Sequence, residues 1–201
     1  MKKALFLTFA LFVTSSSAFA TIVDNAPEWR GLEGSTYQSW EFLTDANPTT
    51  PDVYDNPYGE ASLLVTGSEQ WYQTYMSAIG VWKYEDNIII EVDNNPVANP
   101  YKEVWLQITY AAATIPDILI IPEGGSSYEI MRPIDVIDLG NGYYHATFQT
   151  FLQPNPSFEI ALIQPSECVL YVDDITLETI CVPEPATMAL LSVGLLLLKK
   201  K

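Results

Sequence analysis

Residues 103–110 read EVWLQITY, and apolar and polar side chains alternate along this stretch. Successive side chains of a β-strand point to opposite faces, so this alternation indicates a strand. One face carries Val104, Leu106, Ile108 and Tyr110, and the other carries Trp105, Gln107 and Thr109. We therefore expect a strand with one face in a hydrophobic core and one polar face.

Residues 143–149, YYHATFQ, repeat the pattern. The inward side chains are Tyr144, Ala146 and Phe148, and the outward ones are Tyr143, His145, Thr147 and Gln149. Further β-forming segments are separated by Pro, Gly, Asn and Asp. The predicted strands are 36–42, 61–66, 70–76, 79–84, 87–92, 103–111, 117–121, 127–131, 142–151, 157–163 and 168–178.

No segment shows a sustained helical period, and residues 44–60 are predicted to form a long loop. Many short strands with frequent turns are typical of sandwiches and barrels. The sequence therefore predicts an all-β fold, an antiparallel β-sandwich of the jelly-roll type.

The two polar faces place aromatic rings beside amides. A ring can stack on the apolar side of a sugar while amides bond its hydroxyl groups. This makes Trp105, Gln107, Tyr143 and Gln149 candidate carbohydrate-binding residues. The alternative is that Trp105 and Tyr143 pack beneath a loop or in a second core.

Within 168–178 the inward positions change parity, from Leu170 and Val172 to Ile175 and Leu177. A β-bulge or a turn at Asp173 and Asp174 must absorb one residue. The ending YVDDITL resembles the last strand of jelly-roll carbohydrate-binding modules of the galactose-binding type. The resemblance implies that Asp173 and Asp174 are possible ligands of a structural Ca²⁺.

The two cysteines, Cys168 and Cys181, suggest a disulfide in an exported protein. If 168–178 is one continuous strand, however, the sulfur atoms are tens of ångströms apart, against about 6 Å between the Cα atoms of a bridge. The geometry argues against a disulfide, although a hairpin would allow one.

The first twenty residues have the three parts of a secretory signal peptide. Met1-Lys2-Lys3 is charged, residues 4–13 are apolar, and Ala18-Phe19-Ala20 is the expected cleavage site. We therefore predict a single domain at 21–181, followed by a C-terminal segment at 182–201.

The predicted domain is strongly acidic. Of the 25 acidic residues only Glu184 lies outside it, and its only strong bases are Arg30, Lys83, Lys102 and Arg132. This negative charge repels phosphate backbones, so we expect that the domain does not bind nucleic acid.

The C-terminal segment combines Pro183-Glu184-Pro185, an apolar run at 186–198 and three terminal lysines. Two prolines favour an extended chain, and an apolar run in lipid must be helical. Thirteen helical residues rise about 20 Å, which is short for the roughly 30 Å hydrocarbon core. An ordinary tail anchor is the alternative.

This order resembles the PEP-CTERM sorting signal of Gram-negative bacteria, although its basic end is all lysine. The resemblance implies recognition by an exosortase, a membrane protease. The expected route is export, a transient hydrophobic helix in the inner membrane, and release to the cell surface or the exopolysaccharide matrix.

Patterns for catalysis are missing from the sequence. His145 is the only histidine, which excludes multi-histidine zinc sites, and nucleotide-binding and nucleophile-elbow motifs are absent. We expect a non-catalytic protein that binds polysaccharide. The alternatives are a structural matrix protein without a ligand, and a glycosidase or lyase using paired carboxyl groups.

Overall fold

The computed structural model of the protein describes residues 24–97, 100–124, 127–167 and 169–182. Within these ranges all regular secondary structure is β, and no helix is present. The described residues therefore contain no apolar helix long enough to span a membrane. The strands are β1 (Ser35–Trp40), β2 (Val53–Asp55), β3 (Ser62–Val65), β4 (Gln70–Tyr75), β5 (Ala78–Tyr84), β6 (Ile88–Asp93), β7 (Tyr101–Ala111), β8 (Asp117–Pro122), β9 (Glu129–Gly140), β10 (Tyr143–Leu152), β11 (Phe158–Gln164) and β12 (Leu170–Val182). The predicted all-β antiparallel fold is confirmed. The predicted signal peptide, the sorting segment after Val182, with its predicted hydrophobic helix, and Cys168 lie outside the described residues.

The strands form a continuous, curled antiparallel sheet in the order β2-β1-β12-β7-β10-β9-β8-β11-β6-β3. Strand β9 joins the two layers, because its residues 132–140 pair with β10 and its residues 129–131 pair with β8. We call the layer from β2 to β10 sheet A and the layer from β8 to β3 sheet B. The β4–β5 hairpin attaches to the first residues of β12.

The hydrophobic core lies between the two layers. From β7 it takes Val104, Leu106, Ile108 and Tyr110, all at most 1% exposed, so the face predicted for this strand is confirmed. Strand β10 adds Ala146 and Phe148, with Tyr144 packed against the same cluster. Sheet B contributes apolar side chains at alternate positions, including Ile88, Ile90, Ile118, Ile120 and Ile163.

The parity change in the last strand is a β-bulge. The register between β12 and β7 shifts between Val172 and Asp174, so Asp173 is the extra residue. Leu170 and Val172 before the bulge and Ile175 and Leu177 after it are all buried. Cys181 is a buried free thiol whose sulfur donates to Asn155 Oδ1 at 3.3 Å.

Two segments differ from the sequence prediction. The predicted loop 44–60 contains a short edge strand, β2, which pairs with β1, because Val53, Tyr54 and Asp55 meet an open strand edge. Strand β9 is much longer than the predicted 127–131 and continues to Gly140. Most of its side chains are exposed, including the apolar Ile134, Val136 and Leu139, so the second half of β9 does not pack in the core.

A buried ion pair joins the layers near the end of β12. Lys102 Nζ on β7 lies 2.8 Å from Glu159 Oε2 on β11, and both side chains are fully buried. Asn94 also donates to Glu159, and Thr179 donates to Asn94 Oδ1 at 3.2 Å. Buried charges need such partners to offset the cost of losing water. This network therefore fixes sheet A against sheet B at one end of the sandwich.

Candidate functional site

Four neighbouring strands of sheet A share a polar face directed away from sheet B, which we call the outer face. Residues directly opposite each other in paired antiparallel strands lie on the same side of a sheet. The strand registers therefore assemble the outer face from Trp105, Gln107 and Thr109 on β7, His145, Thr147 and Gln149 on β10, Asp174, Thr176 and Glu178 on β12, and Tyr37 and Ser39 on β1.

Residues 24–30, which we call the cover segment, lie over one part of the outer face. The backbone N–H of Asn25 donates to Gln107 Oε1 at 2.8 Å, and its side-chain amide donates to Thr147 Oγ1 at 3.2 Å. In return, Trp105 Nε1 donates to the carbonyl oxygen of Asn25 at 3.0 Å. The polar groups of the outer face therefore bond the protein's own chain here.

Arg30 anchors the other end of the cover segment. Its guanidinium donates to both carboxyl oxygens of Glu178, at 2.6 and 2.5 Å, and also to Asp24 at 2.5 Å. The same group lies 4.9 Å from the centre of the Tyr37 ring, a cation–π distance. Glu178 is fully buried, so the bidentate pair supplies the counter-charge that this carboxylate requires.

The expected exposure is wrong for two of the four candidate sugar-binding residues, Gln107 and Tyr143. Tyr143 is 5% exposed and Gln107 is 2% exposed, while Trp105 and Gln149 are half-buried. Trp105 and Gln107 lie beneath the cover segment, and Gln149 donates to Glu103 at 2.7 Å. The alternation correctly placed all four on the polar side of their strands, but this side is largely covered.

Tyr143 belongs to a second, smaller apolar cluster below the β4–β5 hairpin. It packs with Ala78, Val81 and Ala111, and its hydroxyl donates to the carbonyl oxygen of Tyr75 at 3.3 Å. The ring of Tyr75 stacks on Tyr171, with 4.3 Å between centroids. The second-core alternative therefore describes Tyr143.

An open pocket of about 220 Å³ remains beside the cover segment. Its lining residues carry carboxyl, hydroxyl, amide and imidazole groups, together with the aromatic ring of Tyr37 and the aliphatic side chain of Val53. The lining residues are Asp24, Tyr37, Ser39, Glu41, Val53, Gln107, His145, Asp174 and Thr176. The pocket is therefore rich in hydrogen-bonding groups and bears carboxyl groups from three different segments of the chain.

The environment separates the pKa values of these carboxyl groups. Burial raises the pKa of Asp174 to about 6, and the neighbouring Glu41 adds to the effect. At the bulge, burial, Asp174 and Glu41 raise the pKa of Asp173 to about 7. The hydrogen bond from Arg30 lowers the pKa of Asp24 instead. One pocket thus holds an acid that gains a proton easily and an acid that stays ionised.

His145 closes one side of the pocket. Its Nδ1 lies 3.0 Å from Thr109 Oγ1, and its Nε2 lies 3.3 Å from Gln107 Oε1. Burial lowers its pKa, so the imidazole is neutral near pH 7. Both ring nitrogens are hydrogen-bonded to side chains of β7. His145 therefore lines the pocket and is not free to accept a proton from a ligand.

The calcium assignment of Asp173 and Asp174 stays a prediction. Across the part of the chain that the structure describes, no group of three or more His, Cys, Asp or Glu side chains is arranged to hold a metal ion. Both aspartates do lie side by side at the bulge, as the sequence indicated.

Comparison with known proteins identifies the segment that follows the sandwich. Residues 182–200 match the family described as the PEP-CTERM protein-sorting motif. The chain carries a PEP-CTERM sorting motif. The motif implies export to the envelope and recognition of the C-terminal tail by an exosortase. Among curated proteins, none matches this chain.

The PEP-CTERM motif begins where the last strand ends. Val182, the first matched residue, still pairs with Tyr101 on β7, and Cys181 donates its backbone N–H to the carbonyl oxygen of Gly34 at 3.4 Å. Pro183 therefore follows the folded sandwich directly, without an intervening linker. Strand β12, which leads into the motif, lies inside sheet A between β1 and β7.

Several pocket residues were not predicted from the sequence. Tyr37 and Ser39 occupy alternate positions of β1, opposite the buried Gln38 and Trp40, so the alternation of this strand contained a usable signal. Asp24 had no such signal, because its position depends on the long-range contact of Arg30 with Glu178.

Proposed function

We propose that this protein is an exported surface protein that binds a polysaccharide in the outer-face pocket and is released by an exosortase. On this proposal a signal peptide directs export, and the tail holds the chain in the inner membrane of a Gram-negative cell. Cleavage near Pro183 then delivers the domain to the surface or the matrix. The PEP-CTERM motif supports this route.

The observation that carries the binding proposal is the composition of the pocket. Neighbouring hydroxyl groups line it, with Thr176 Oγ1 donating to Ser39 Oγ at 3.3 Å, and the Tyr37 ring forms part of the wall. Hydroxyl, amide and carboxyl groups bond sugar hydroxyls, and a ring covers the apolar side of a sugar. The pocket contains no Lys or Arg among its lining residues. We therefore expect a neutral glycan, because uronate-rich chains would meet the carboxylates.

The test measures binding of the purified full chain in mild detergent to neutral and to uronate-rich polysaccharides, with Ca²⁺ and with EDTA. Saturable binding to a neutral subset is expected. Removing the Thr176 hydroxyl by Thr176→Val should weaken binding about three- to tenfold, the usual effect of one hydrogen bond. Thr74→Val is the matched control, because Thr74 is exposed on β4 away from the pocket.

Equal weakening by Thr176→Val and Thr74→Val would place the ligand elsewhere, and no binding across the panel would favour a structural matrix protein. Loss of binding in EDTA would assign a role to Ca²⁺ and make Asp173 and Asp174 its candidate ligands.

A glycosidase is the second candidate, favoured by the separated pKa values of Asp174 and Asp24. Glycosidases pair a carboxylic acid with a carboxylate in this way. Release of reducing ends from the same panel, abolished by Asp174→Asn, is the result expected of an enzyme. Binding without such release supports the non-catalytic protein.

A further inference from the structure

Exposed apolar side chains surround the point where the chain leaves the sandwich. Leu32 is 59% exposed, Val97 63% and Phe151 53%, and Tyr101 is half-buried beside them. We call these residues the exit rim. A group of large apolar side chains on a protein surface marks an interaction site.

Strand pairing places the members of the exit rim at one level. Tyr101 pairs with Val182, and its ring meets the Phe151 ring edge-on, with 6.3 Å between centroids. The carbonyl oxygen of Leu32 accepts the backbone N–H of Ser35, which pairs with Ile180. The Val97 carbonyl accepts from Asn155, which also receives the Cys181 thiol. All four residues therefore surround the last residues of β12.

The occupant of this surface follows from what comes next in the chain. Residues 183 onward begin directly at the rim and contain an apolar run at 186–198. Such a run enters lipid on the proposed sorting route. A membrane surface is thus brought to this end of the sandwich, about 40 Å along the thirteen-residue β12 from the other end.

We propose that the exit rim inserts into the bilayer interface and docks this end of the domain on the membrane before the tail is cut. The inference rests on the proposed insertion of the tail, and adds an orientation that the tail alone does not impose. Apolar side chains and tyrosine rings favour the interface between headgroups and acyl chains.

The charge of the domain sets the lipid preference. Glu33 is exposed next to Leu32, and Glu103 lies beside Phe151 across the β7–β10 pair. Acidic groups near a membrane are repelled by anionic headgroups, and the repulsion is screened by salt. The docking is therefore driven by apolar contact, and is strongest on zwitterionic lipid.

The experiment reconstitutes the full chain in phosphatidylcholine vesicles that contain a phospholipid with a photoreactive diazirine near the glycerol. Peptide mass spectrometry then locates the residues that light attaches to lipid. Labelling is expected in the tail and at Leu32, Tyr101 and Phe151, and should be at least fivefold lower at Ile115 and Leu139. These two side chains are also exposed, but lie at the far end of the sandwich.

Two further arms separate docking from simple tethering. Leu32→Ser with Phe151→Ser should lower labelling of Tyr101, one of the two remaining rim residues, several-fold while leaving the tail labelled. Ile115→Ser should change neither. Replacing a third of the lipid by phosphatidylglycerol should also lower rim labelling at low salt.

Each contrary outcome has a distinct meaning. A labelled tail with equal labelling at both ends of the sandwich overturns the docking proposal and leaves the sorting route intact. An unlabelled tail overturns both, because the tail then does not enter lipid.

Discussion

Replacing Lys102 by methionine should destabilise the protein far more than replacing any exposed lysine. Lys102 Nζ lies 2.8 Å from Glu159 Oε2, and neither side chain is exposed to solvent. Methionine keeps most of the apolar stem but removes the positive charge and the bond to the Pro156 carbonyl. Glu159 then retains only Asn94 as a partner, with its second oxygen already buried and unpaired among the described contacts.

The expected loss follows from the cost of an uncompensated buried charge. Removing one partner of a buried ion pair costs about 3–5 kcal/mol. The Asn94 contact and the apolar methionine moderate this, so we expect about 3 kcal/mol at pH 8. That is a large part of the roughly 5–15 kcal/mol by which such domains are stable.

The loss should be smaller in acid. Burial raises the pKa of Glu159, and Lys102 opposes this effect. In Lys102→Met the positive charge that lowers the pKa of Glu159 is absent, so the pKa of Glu159 in the folded state rises further above its unfolded value. A group with a raised pKa binds more protons in the folded state, so stability decreases as the pH rises through this window. Each unit of additional shift corresponds to about 1.4 kcal/mol, and the defect at pH 5 should therefore be about half that at pH 8.

Urea unfolding followed by tryptophan fluorescence at pH 5 and pH 8 measures both quantities. Lys83→Met is the matched control, because Lys83 is 26% exposed and lies 3.5 Å from the exposed Glu85. An exposed pair of this kind contributes at most about 1 kcal/mol. The double variant Lys102→Met with Glu159→Gln should recover most of the loss, since no buried charge remains. A loss below 1 kcal/mol for Lys102→Met at pH 8, or a larger loss at pH 5, would refute this reasoning.

Two further predictions concern Gly80 on β5 and Asp174 in the outer-face pocket. Gly80→Ala should lower the free energy of unfolding in urea by about 2–4 kcal/mol, and Gly31→Ala by about 1–2 kcal/mol. Both glycines have φ near +78°, but only at Gly80 would the new Cβ lie 2.3 Å from the Phe42 carbonyl oxygen. Equal losses for the two variants would contradict this close approach. Asp174→Asn should stabilise the protein by about 1–3 kcal/mol at pH 8 and have little effect near pH 4. The folded-state pKa of Asp174 is about 6, so ionising this buried carboxyl group opposes folding. A stabilisation that does not depend on pH would show that the charge is not responsible.

Local sequence patterns predicted the strands well because the core forces them. The stretch predicted at 103–111 is β7 at Tyr101–Ala111, and the parity change at Asp173 is a real bulge. In both cases one face must be apolar to pack on the other layer, and the alternation records this requirement. Core packing imposes no such requirement on β9, since most of its side chains are exposed, and its second half was not predicted.

The same alternation contained information about the buried ion pair. Lys102 has the parity of Val104 and Leu106, and Glu159 that of Ala161 and Ile163, so both charges belong to inward positions. A lysine and a glutamate at inward positions of two different strands need each other, because neither can be buried alone. This pair could therefore have been predicted, although the choice of partners required the topology.

The covered outer face could not have been predicted in this way. Alternation separates a polar side from an apolar side, but it does not distinguish water from another polar segment of the same chain. Asn25 replaces water for Gln107 and Thr147 across more than eighty residues of sequence. The local sequence does not indicate such a contact. The sequence therefore predicted an exposed Trp105, whereas the side chain is half-buried.

Strand β12 lies in the middle of sheet A and also holds the chain where it enters the sorting motif. Strand β12 pairs with β7 over eleven residue pairs and with β1 over six, so the chain entering the motif is held on both sides. A central strand can be released only by breaking both ladders, whereas an edge strand is released by breaking one. The buried Lys102–Glu159 pair lies at the same end, because Lys102 pairs with Cys181. On the proposed sorting route, an exosortase bound at Pro183 meets a chain that is fixed up to the preceding residue, Val182. On the same route the enzyme would approach the exit rim, and the docking that we propose for this rim would set how closely the cleavage site lies to the membrane.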